Sequence, residues 1–361
     1  MTNTTQRLHD LGQSLWLDNL TRDMLQRGTL KHYIDELFVT GLTSNPTIFE
    51  HAIGGGGVYD EAIQTRTAAG LSGEDLFFDL AREDLTQAAD LFRPSYKATN
   101  HLDGWVSLEV SPLLAHDTKR TLEQVKSLHR QLDRPNVFIK IPGTPEGLPA
   151  IEEATFAGIP INVTLLFSRE QYIAAAEAYQ RGIERRIQIG RDPDVVSVAS
   201  LFVSRWDKAV QDKVPAELRN RLGIAIAGRT YKAYRELLDS HHTETLATAG
   251  ARHQRLLWAS TGTKDPNASD VLYIEALAAP DTINTMPDAT LLAFADHGQI
   301  RDVMADDGGD SERVIAEFER AGVDVNALAD QLQREGAEAF VKSWKALLER
   351  IASKCEALAA S

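Results

Sequence analysis

The feature that most constrains the fold is a regular alternation of short β-rich runs with longer segments of helical period. Apolar residues in the longer segments recur every three or four positions, with charged residues between them, which is typical of amphipathic helices. Strict alternation predicts a parallel sheet with right-handed crossovers. The eight runs that have the length and composition of strands are 14–18, 38–45, 104–110, 136–142, 159–167, 195–203, 255–261 and 282–287.

Eight such units are the number that closes a (β/α)8 barrel, so the predicted fold class is α/β, a TIM barrel with extra helices. An open doubly wound sheet is the main alternative. It is disfavoured because no Gly-x-Gly-x-x-Gly motif follows the first strand. The second and sixth units are much longer than the others, and we expect additional helices in both.

After residue 287 the sequence predicts only helices. Ser311 is a candidate N-cap for the first of them, and Gly322 is a candidate terminator. We expect a single barrel domain over residues 1–361, with strands from about 14 to 287 and with residues 300–361 forming C-terminal helices packed on the barrel. The four glycines at 54–57 form a surface turn or, as an alternative, a mobile or phosphate-binding loop.

Composition and net charge restrict the kinds of molecule that the protein is expected to bind. The 361-residue chain is 43% hydrophobic and carries a formal net charge of −14, which disfavours a nucleic-acid or anionic membrane partner. An anionic small molecule would need a local group of basic residues. The single cysteine, Cys355, cannot form an intrachain disulfide, and no apolar run has the length of a signal or a membrane span. We expect a cytoplasmic location, and the pattern predicts no oligomeric state.

Polar side chains occur near the end of seven of the predicted strands. Reacting groups in a (β/α)8 barrel cluster at the carboxyl ends of its strands, so these side chains are candidates for one shared site. The candidates are Asp18, Asn45, Glu109, Lys140, Asn162, Thr164, Ser200, Arg205 and Ser260.

Lys140 stands out because it interrupts an apolar strand in the stretch NVFIKIPGTPEG. It shares a strand face with Phe138, so it should point into the barrel, where apolar surroundings would keep the amine neutral and nucleophilic. A neutral lysine beside a carboxylate suits Schiff-base chemistry, and Asp18 and Glu109 are candidate proton carriers.

Each candidate also has a purely structural interpretation when it is taken alone. Lys140 could pair with a carboxylate, Asp18 could cap a helix, and Asn45 could hold the turn before Pro46. Thr164 and Ser200 could be ordinary strand residues. Arg205 could be a surface charge.

Seven sequence blocks bear on these alternatives: WLDNL, GLTSNPTIF, VSLEVSP, IKIPGTPEGLPAIEE, GIPINVTLLFS, SLFVSRWD and ASTGTK. In order and general spacing they resemble the transaldolase family, most closely its longer bacterial branch. The resemblance covers roughly Trp16 to Asp296 and is most specific at IKIPGT and INVTLLFS.

The resemblance implies a transferase of the pentose phosphate pathway without a metal or organic cofactor. Lys140 would form a Schiff base with the ketose donor, Glu109 would act as acid and base through a water held with Thr164, and Asp18 would take a hydroxyl proton. The reaction would pass a dihydroxyacetone unit from sedoheptulose 7-phosphate to glyceraldehyde 3-phosphate, giving erythrose 4-phosphate and fructose 6-phosphate. The implied substrate-binding residues are Asn45, Asn162 and Ser200 for the three-carbon unit and Arg205 and Ser260 for the phosphate.

One block departs from the family pattern. Many transaldolases carry an arginine two residues after the phosphate-binding serine, whereas here Ser260 is followed by Thr261, Gly262, Thr263 and Lys264. We expect Lys264 to supply the second positive charge, with the phosphate held more by Arg205, since arginine suits bidentate contacts.

Three other functions are alternatives to transaldolase activity. A fructose 6-phosphate aldolase-like enzyme would release free dihydroxyacetone, but Glu109 and Phe202 match the transferase pattern. A metal-dependent barrel enzyme would need ligands, and the only dense histidine group, His241, His242 and His253, lies away from the strand ends. A non-catalytic sugar-phosphate-binding protein would lack some of the candidate residues.

Overall fold

The computed structural model describes residues 3–359 and shows a closed barrel of eight parallel strands in chain order. The predicted fold class and the order of the strands are confirmed. The strands are β1 Ser14–Asp18, β2 Val39–Thr43, β3 Trp105–Glu109, β4 Val137–Pro142, β5 Ile161–Leu166, β6 Ser197–Phe202, β7 Arg255–Ala259 and β8 Thr282–Met286.

Sixteen α-helices are found within residues 3–359, and the long second and sixth units carry the extra ones, as expected. Three α-helices lie between β2 and β3, and three lie between β6 and β7. The helices are α1 Thr4–Asp10, α2 Arg22–Gln26, α3 Thr29–Glu36, α4 Pro46–Gly54, α5 Asp60–Ala68, α6 Gly73–Ala98, α7 Thr118–Leu132, α8 Gly147–Phe156, α9 Arg169–Gln188, α10 Ser204–Val210, α11 Leu222–Leu238, α12 His241–Thr248, α13 Leu272–Ala276, α14 Asp288–His297, α15 Ser311–Arg320 and α16 Val325–Ala359.

Side chains on the two faces of β4 have different surroundings. Ile139 and Ile141 belong to the core between barrel and helices. Phe138 instead packs inside the barrel against Trp16 and Trp105, with ring centroids 6.1 and 4.2 Å away. Because side chains alternate along a strand, Lys140 points inward one layer above Phe138, as predicted.

The two C-terminal helices contact several other helices of the chain. Helix α15 packs on α11, and α16 packs on α4, α5 and α6. The four glycines at 54–57 end α4 and form the turn before α5, where the ammonium of Lys354 from α16 contacts the carbonyl of Gly56. That the whole chain forms one domain stays a prediction.

The N-cap prediction for α15 is wrong. Asp310 occupies the cap position, and Ser311 is the first helical residue, buried, with its hydroxyl donating to the carbonyl of Gly308. The tight turn at Gly308 and Gly309 supplies that acceptor and moves the helix start. At the other end Gly322 has φ +92° just after the cap residue Ala321, so its predicted role as terminator is confirmed.

Candidate active site

A cavity of about 650 Å³ opens at the carboxyl ends of the strands. The barrel register explains why the predicted residues meet there: Lys140 pairs with Glu109 on one side and with Asn162 on the other. Eight of the ten predicted site residues line the cavity: Asp18, Asn45, Lys140, Thr164, Ser200, Arg205, Ser260 and Lys264.

Lys140 and Glu109 form the centre of the site. Their side chains are 6% and 3% exposed, and Nζ lies 3.1 Å from Oε2. The Lys140 ammonium also donates to the carbonyl oxygen of Ser44 at 3.1 Å. The expectation that Lys140 has apolar surroundings is therefore wrong. Its neighbours along the chain are apolar, but the ends of adjacent strands bring the Glu109 carboxylate and the Ser44 carbonyl to its amine.

The Glu109 carboxyl group is buried beside charged neighbours that act on its pKa. Burial raises its pKa, whereas the charge of Lys140 opposes that rise; Asp18 adds to it and Arg205 opposes it more weakly. The contact with Lys140 is a close ion pair, but within residues 3–359 neither Glu109 oxygen accepts an aligned hydrogen bond. Oε1, which lies outside that ion pair, is therefore free to accept from a water molecule or a substrate.

Asp18 lies at the end of β1 and faces the cavity. Its Oδ1 accepts a 2.8 Å hydrogen bond from the hydroxyl of Thr43, its register partner on β2. Burial raises the pKa of Asp18, while Lys140, the Thr43 hydrogen bond and Lys264 lower it. The carboxyl group can therefore take up a proton more readily than an exposed aspartate.

Thr164 and Ser200 reach the cavity from β5 and β6, but Asn162 does not. Asn162 is fully buried, donates to Ser107 Oγ at 3.3 Å and accepts from Ser200 Oγ at 2.8 Å. It therefore supports Ser200 from below. The Thr164 hydroxyl is buried and has no hydrogen-bond partner among residues 3–359, so it is available to a water molecule or substrate.

Asn45 caps a helix and lines the cavity, and its contact with substrate stays a prediction. Its Oδ1 accepts from the backbone N–H of Ile48 at 3.1 Å and so caps α4, which begins at Pro46. The residue also lines the cavity, and the amide NH2 is left for a ligand.

Positive charge collects at one side of the cavity. The guanidinium of Arg205 lies over the rings of Phe202 and Phe340, 5.1 and 5.8 Å from their centroids. Neither Arg205 nor Lys264 forms an ion pair with any carboxylate in the described part of the chain. These unpaired cations form the local basic group that an anionic ligand needs in an acidic protein.

Ser260 follows the end of β7 in a left-handed backbone conformation with φ +55°. The first residue of α10 holds it there: Ser204 N donates to Ser260 O at 2.9 Å, and the two hydroxyls are 2.9 Å apart. A non-glycine residue in this conformation is costly and is found where surrounding structure enforces it, often at binding sites.

The sequence interpretation missed several lining residues, namely Thr43, Lys208, Thr285, Leu332, Glu335 and Phe340. Lys208 could have been found, because it follows Arg205 by three positions and so shares its helix face. Leu332, Glu335 and Phe340 come from α16, far along the chain from every strand, and no local signal connects them to the site.

The histidine group predicted as an alternative metal site does not assemble into one. Across residues 3–359 no cluster of three or more metal-ligating side chains occurs. His242 instead lies 3.1 Å from Glu184, and His253 packs near the ring of Tyr234. In the same residues no helix is long and apolar enough to cross a membrane.

A closed parallel barrel with a buried lysine–carboxylate pair at the carboxyl ends of its strands defines a (β/α)8-barrel enzyme. The chain belongs to the Transaldolase/Fructose-6-phosphate aldolase family, whose model matches residues 15–351.

Curated relatives match nearly the whole chain. The chain is 44% identical over 366 residues to the Transaldolase of Thermobifida fusca, covering 99% of this chain and 100% of the relative. It is 43% identical over 353 residues to the Transaldolase of Saccharopolyspora erythraea, covering 96% of each. The Transaldolase 2 of a Nostoc species is 40% identical over 375 residues, covering 99% of this chain and 98% of the relative.

Proposed function

We propose that this enzyme is a transaldolase of the pentose phosphate pathway that uses Lys140 as its Schiff-base lysine. It moves a dihydroxyacetone unit from sedoheptulose 7-phosphate to glyceraldehyde 3-phosphate and so forms erythrose 4-phosphate and fructose 6-phosphate. The observation that supports this most is the buried Lys140–Glu109 pair, 3.1 Å apart beside a cavity with unpaired cations. The names of the full-length relatives agree with it.

The first half of the reaction forms the imine. The Lys140 amine, after losing a proton to Glu109, attacks the ketone carbon of the donor to give a carbinolamine. Glu109 then returns the proton to the departing hydroxyl, which leaves as water, and the nitrogen becomes a protonated imine. The unbonded Thr164 hydroxyl beside them holds the water that relays these protons.

The second half breaks and remakes a carbon–carbon bond. Asp18 takes the proton of the hydroxyl whose carbon becomes the aldehyde, and the electrons of the cleaved bond move into the imine to form an enamine. The enamine attacks the carbonyl carbon of the acceptor, and Asp18 returns its proton to the new hydroxyl. Hydrolysis of the imine releases the product. The raised pKa of Asp18 suits a group that must both accept and return a proton.

Binding is divided between two sides of the cavity. Asn45 and Ser200 hydrogen-bond the hydroxyls of the three-carbon unit, with Asn162 orienting Ser200 from below. Arg205, Ser260 and Lys264 bind the phosphate. The proposal includes a cytoplasmic location and small sugar phosphates as the ligands, with no nucleic-acid or membrane partner.

Borohydride trapping tests the proposal. Reduction in the presence of fructose 6-phosphate should add one three-carbon unit to the protein, and mass mapping should find it on the peptide that contains Lys140. Modification of a different lysine would refute the assigned mechanism. Transfer to erythrose 4-phosphate without comparable release of dihydroxyacetone distinguishes a transaldolase from an aldolase of the same family.

A further inference from the structure

Helix α16 lies directly on the mouth of the barrel. At Gly336 the helix lies close to the barrel, because a Cβ atom there would lie 3.0 Å from Leu165 Cδ2 and 3.2 Å from Arg205 Nη1. Its residues Leu332 and Phe340 line the cavity. The helix is therefore in contact with the residue that follows Thr164 and with the cationic side of the site.

Gln333 of α16 joins the ends of two strands. Its Nε2 donates to the carbonyl of Gly143 at 3.1 Å and to the carbonyl of Leu165 at 3.0 Å. Gly143 comes directly after β4, three positions beyond Lys140, and Leu165 comes directly after Thr164. The two carbonyls therefore belong to the backbone segments that carry Lys140 and Thr164.

The segment held by Gln333 on β5 is strained. Leu165 has φ +59°, a left-handed conformation that leucine rarely adopts, and the register of β5 against β6 shifts between Val163 and Leu166. Such a conformation persists only where neighbouring groups enforce it. A bond from the Gly143 N–H to the Thr164 carbonyl, at 2.7 Å, and the Gln333 amide are two such constraints.

We propose that Gln333 is a positioning residue for the reaction. Its amide holds the bulge at Leu165 against the end of β4 and so keeps the unbonded hydroxyl of Thr164 in place relative to Lys140. The inference rests on the proposed function, since Thr164 matters there as the holder of the water that serves Glu109. It assigns the C-terminal helix a role in the chemical steps in addition to its role as a wall of the cavity.

The test replaces the amide without changing the length of the side chain. Gln333→Met removes both N–H donors. Gln131→Met is the matched control, because Gln131 is exposed on α7 and its amide, among residues 3–359, donates only to the Ser127 hydroxyl of the same helix. We expect Gln333→Met to lower kcat about tenfold, as a small displacement of a reacting group does. The KM for fructose 6-phosphate should change less than about threefold, and borohydride trapping should slow in parallel with kcat. The control should match the wild type.

A purely structural role would not produce this division between kcat and KM. A wild-type kcat in Gln333→Met, or a raised KM with kcat unchanged, would overturn the inference. If the Met variant does not fold, Gln333→Asn keeps a polar amide that is one methylene too short to reach both carbonyls, and the same kcat-specific loss is expected from it. Failure of the wild type to be trapped on Lys140 would refute the proposed function instead, so the two failures are distinguishable.

Discussion

Lys140 and Glu109 face each other across adjacent strands, with Nζ 3.1 Å from Oε2, and their side chains are 6% and 3% exposed. A buried ion pair is weak evidence for stability, because desolvation offsets the attraction between the charges. Here neither carboxylate oxygen has an aligned hydrogen bond from the described residues, and the amine has the Ser44 carbonyl as its other contact. A buried pair with so few hydrogen bonds from the protein suits proton exchange with a substrate better than it suits stabilisation of the fold.

Replacing the lysine should separate chemistry from folding. Lys140→Met should lower kcat by at least about a thousandfold, since the proposed mechanism forms the imine on this lysine. The protein should stay folded, because Glu109 already has a raised pKa and can take up a proton once the cation is gone. Steady-state rates and circular dichroism check both points. Lys126→Met, at an exposed site on α7, is the control, and residual trapping by borohydride in Lys140→Met would contradict the assignment.

The phosphate contact of Lys264 can be measured through KM. Lys264→Ala should raise the KM for fructose 6-phosphate about tenfold, or about 1.4 kcal/mol, with little change in kcat. The increase in KM should be absent with unphosphorylated fructose, because the Lys264 ammonium is expected to contact only the phosphate group. An unchanged KM for the phosphorylated substrate would remove Lys264 from the site and leave Arg205 as the main anion contact.

The glycine at position 336 should not tolerate a methyl group. In an ordinary helix interior Gly→Ala adds about 1 kcal/mol of stability. At Gly336 the new Cβ would press on Leu165 and Arg205, at 3.0 and 3.2 Å. We expect Gly336→Ala to gain no stability and to raise the KM for phosphorylated donors several-fold by displacing Arg205. Thermal melting and kinetics check this, with Glu338→Ala, exposed on the same helix, as the control. A more stable variant with wild-type KM would show that the helix can shift freely.

A buried aspartate on α10 predicts a pH dependence of stability. Asp207 accepts from the hydroxyl of Tyr273 at 2.8 Å and from the backbone N–H groups of Leu222 and Gly223. Burial raises its pKa to about 6 in spite of these bonds. The folded protein therefore binds this proton more tightly than the unfolded chain does, and the resulting stability is present below about pH 4 and lost as the pH rises through 6.

Urea unfolding between pH 4 and pH 7 tests this for Asp207. The free energy of unfolding of the wild type should fall relative to that of Asp207→Asn by up to about 3 kcal/mol over this range, since the pKa differs by about two units at 1.36 kcal/mol each. The control is Asp75→Asn, which changes an exposed aspartate. Asp117→Asn is unsuitable as a control, because Asp117 caps α7 and its replacement would itself alter stability. A difference between wild type and Asp207→Asn that does not vary with pH would contradict the raised pKa.

Much of the fold could be predicted from the local pattern of apolar and polar residues. The predicted limits of β1 match the structure, and those of β4 and β8 differ from it by one residue, because buried strands are bounded by turn residues that the sequence displays. The start of α15 could not be placed, because it depends on the turn at Gly308 and Gly309 offering a carbonyl to Ser311. The sequence predicts that Asn162 binds substrate, and this stays a prediction. Its bond from Ser200 could not be predicted, because it depends on the register between β5 and its neighbours.

By itself the sequence determined that eight strands alternate with helices and that Lys140 points into the barrel, because both follow from the spacing of side chains along a local element. Only the tertiary structure decided that Glu109 would contact that lysine and that the Ser44 carbonyl would accept a hydrogen bond from it. It also decided that Gln333, 190 residues from Gly143, would close the ends of β4 and β5. The physical reason is the same in each case: closure of the barrel sets which strand ends meet, and packing of α16 sets what covers them.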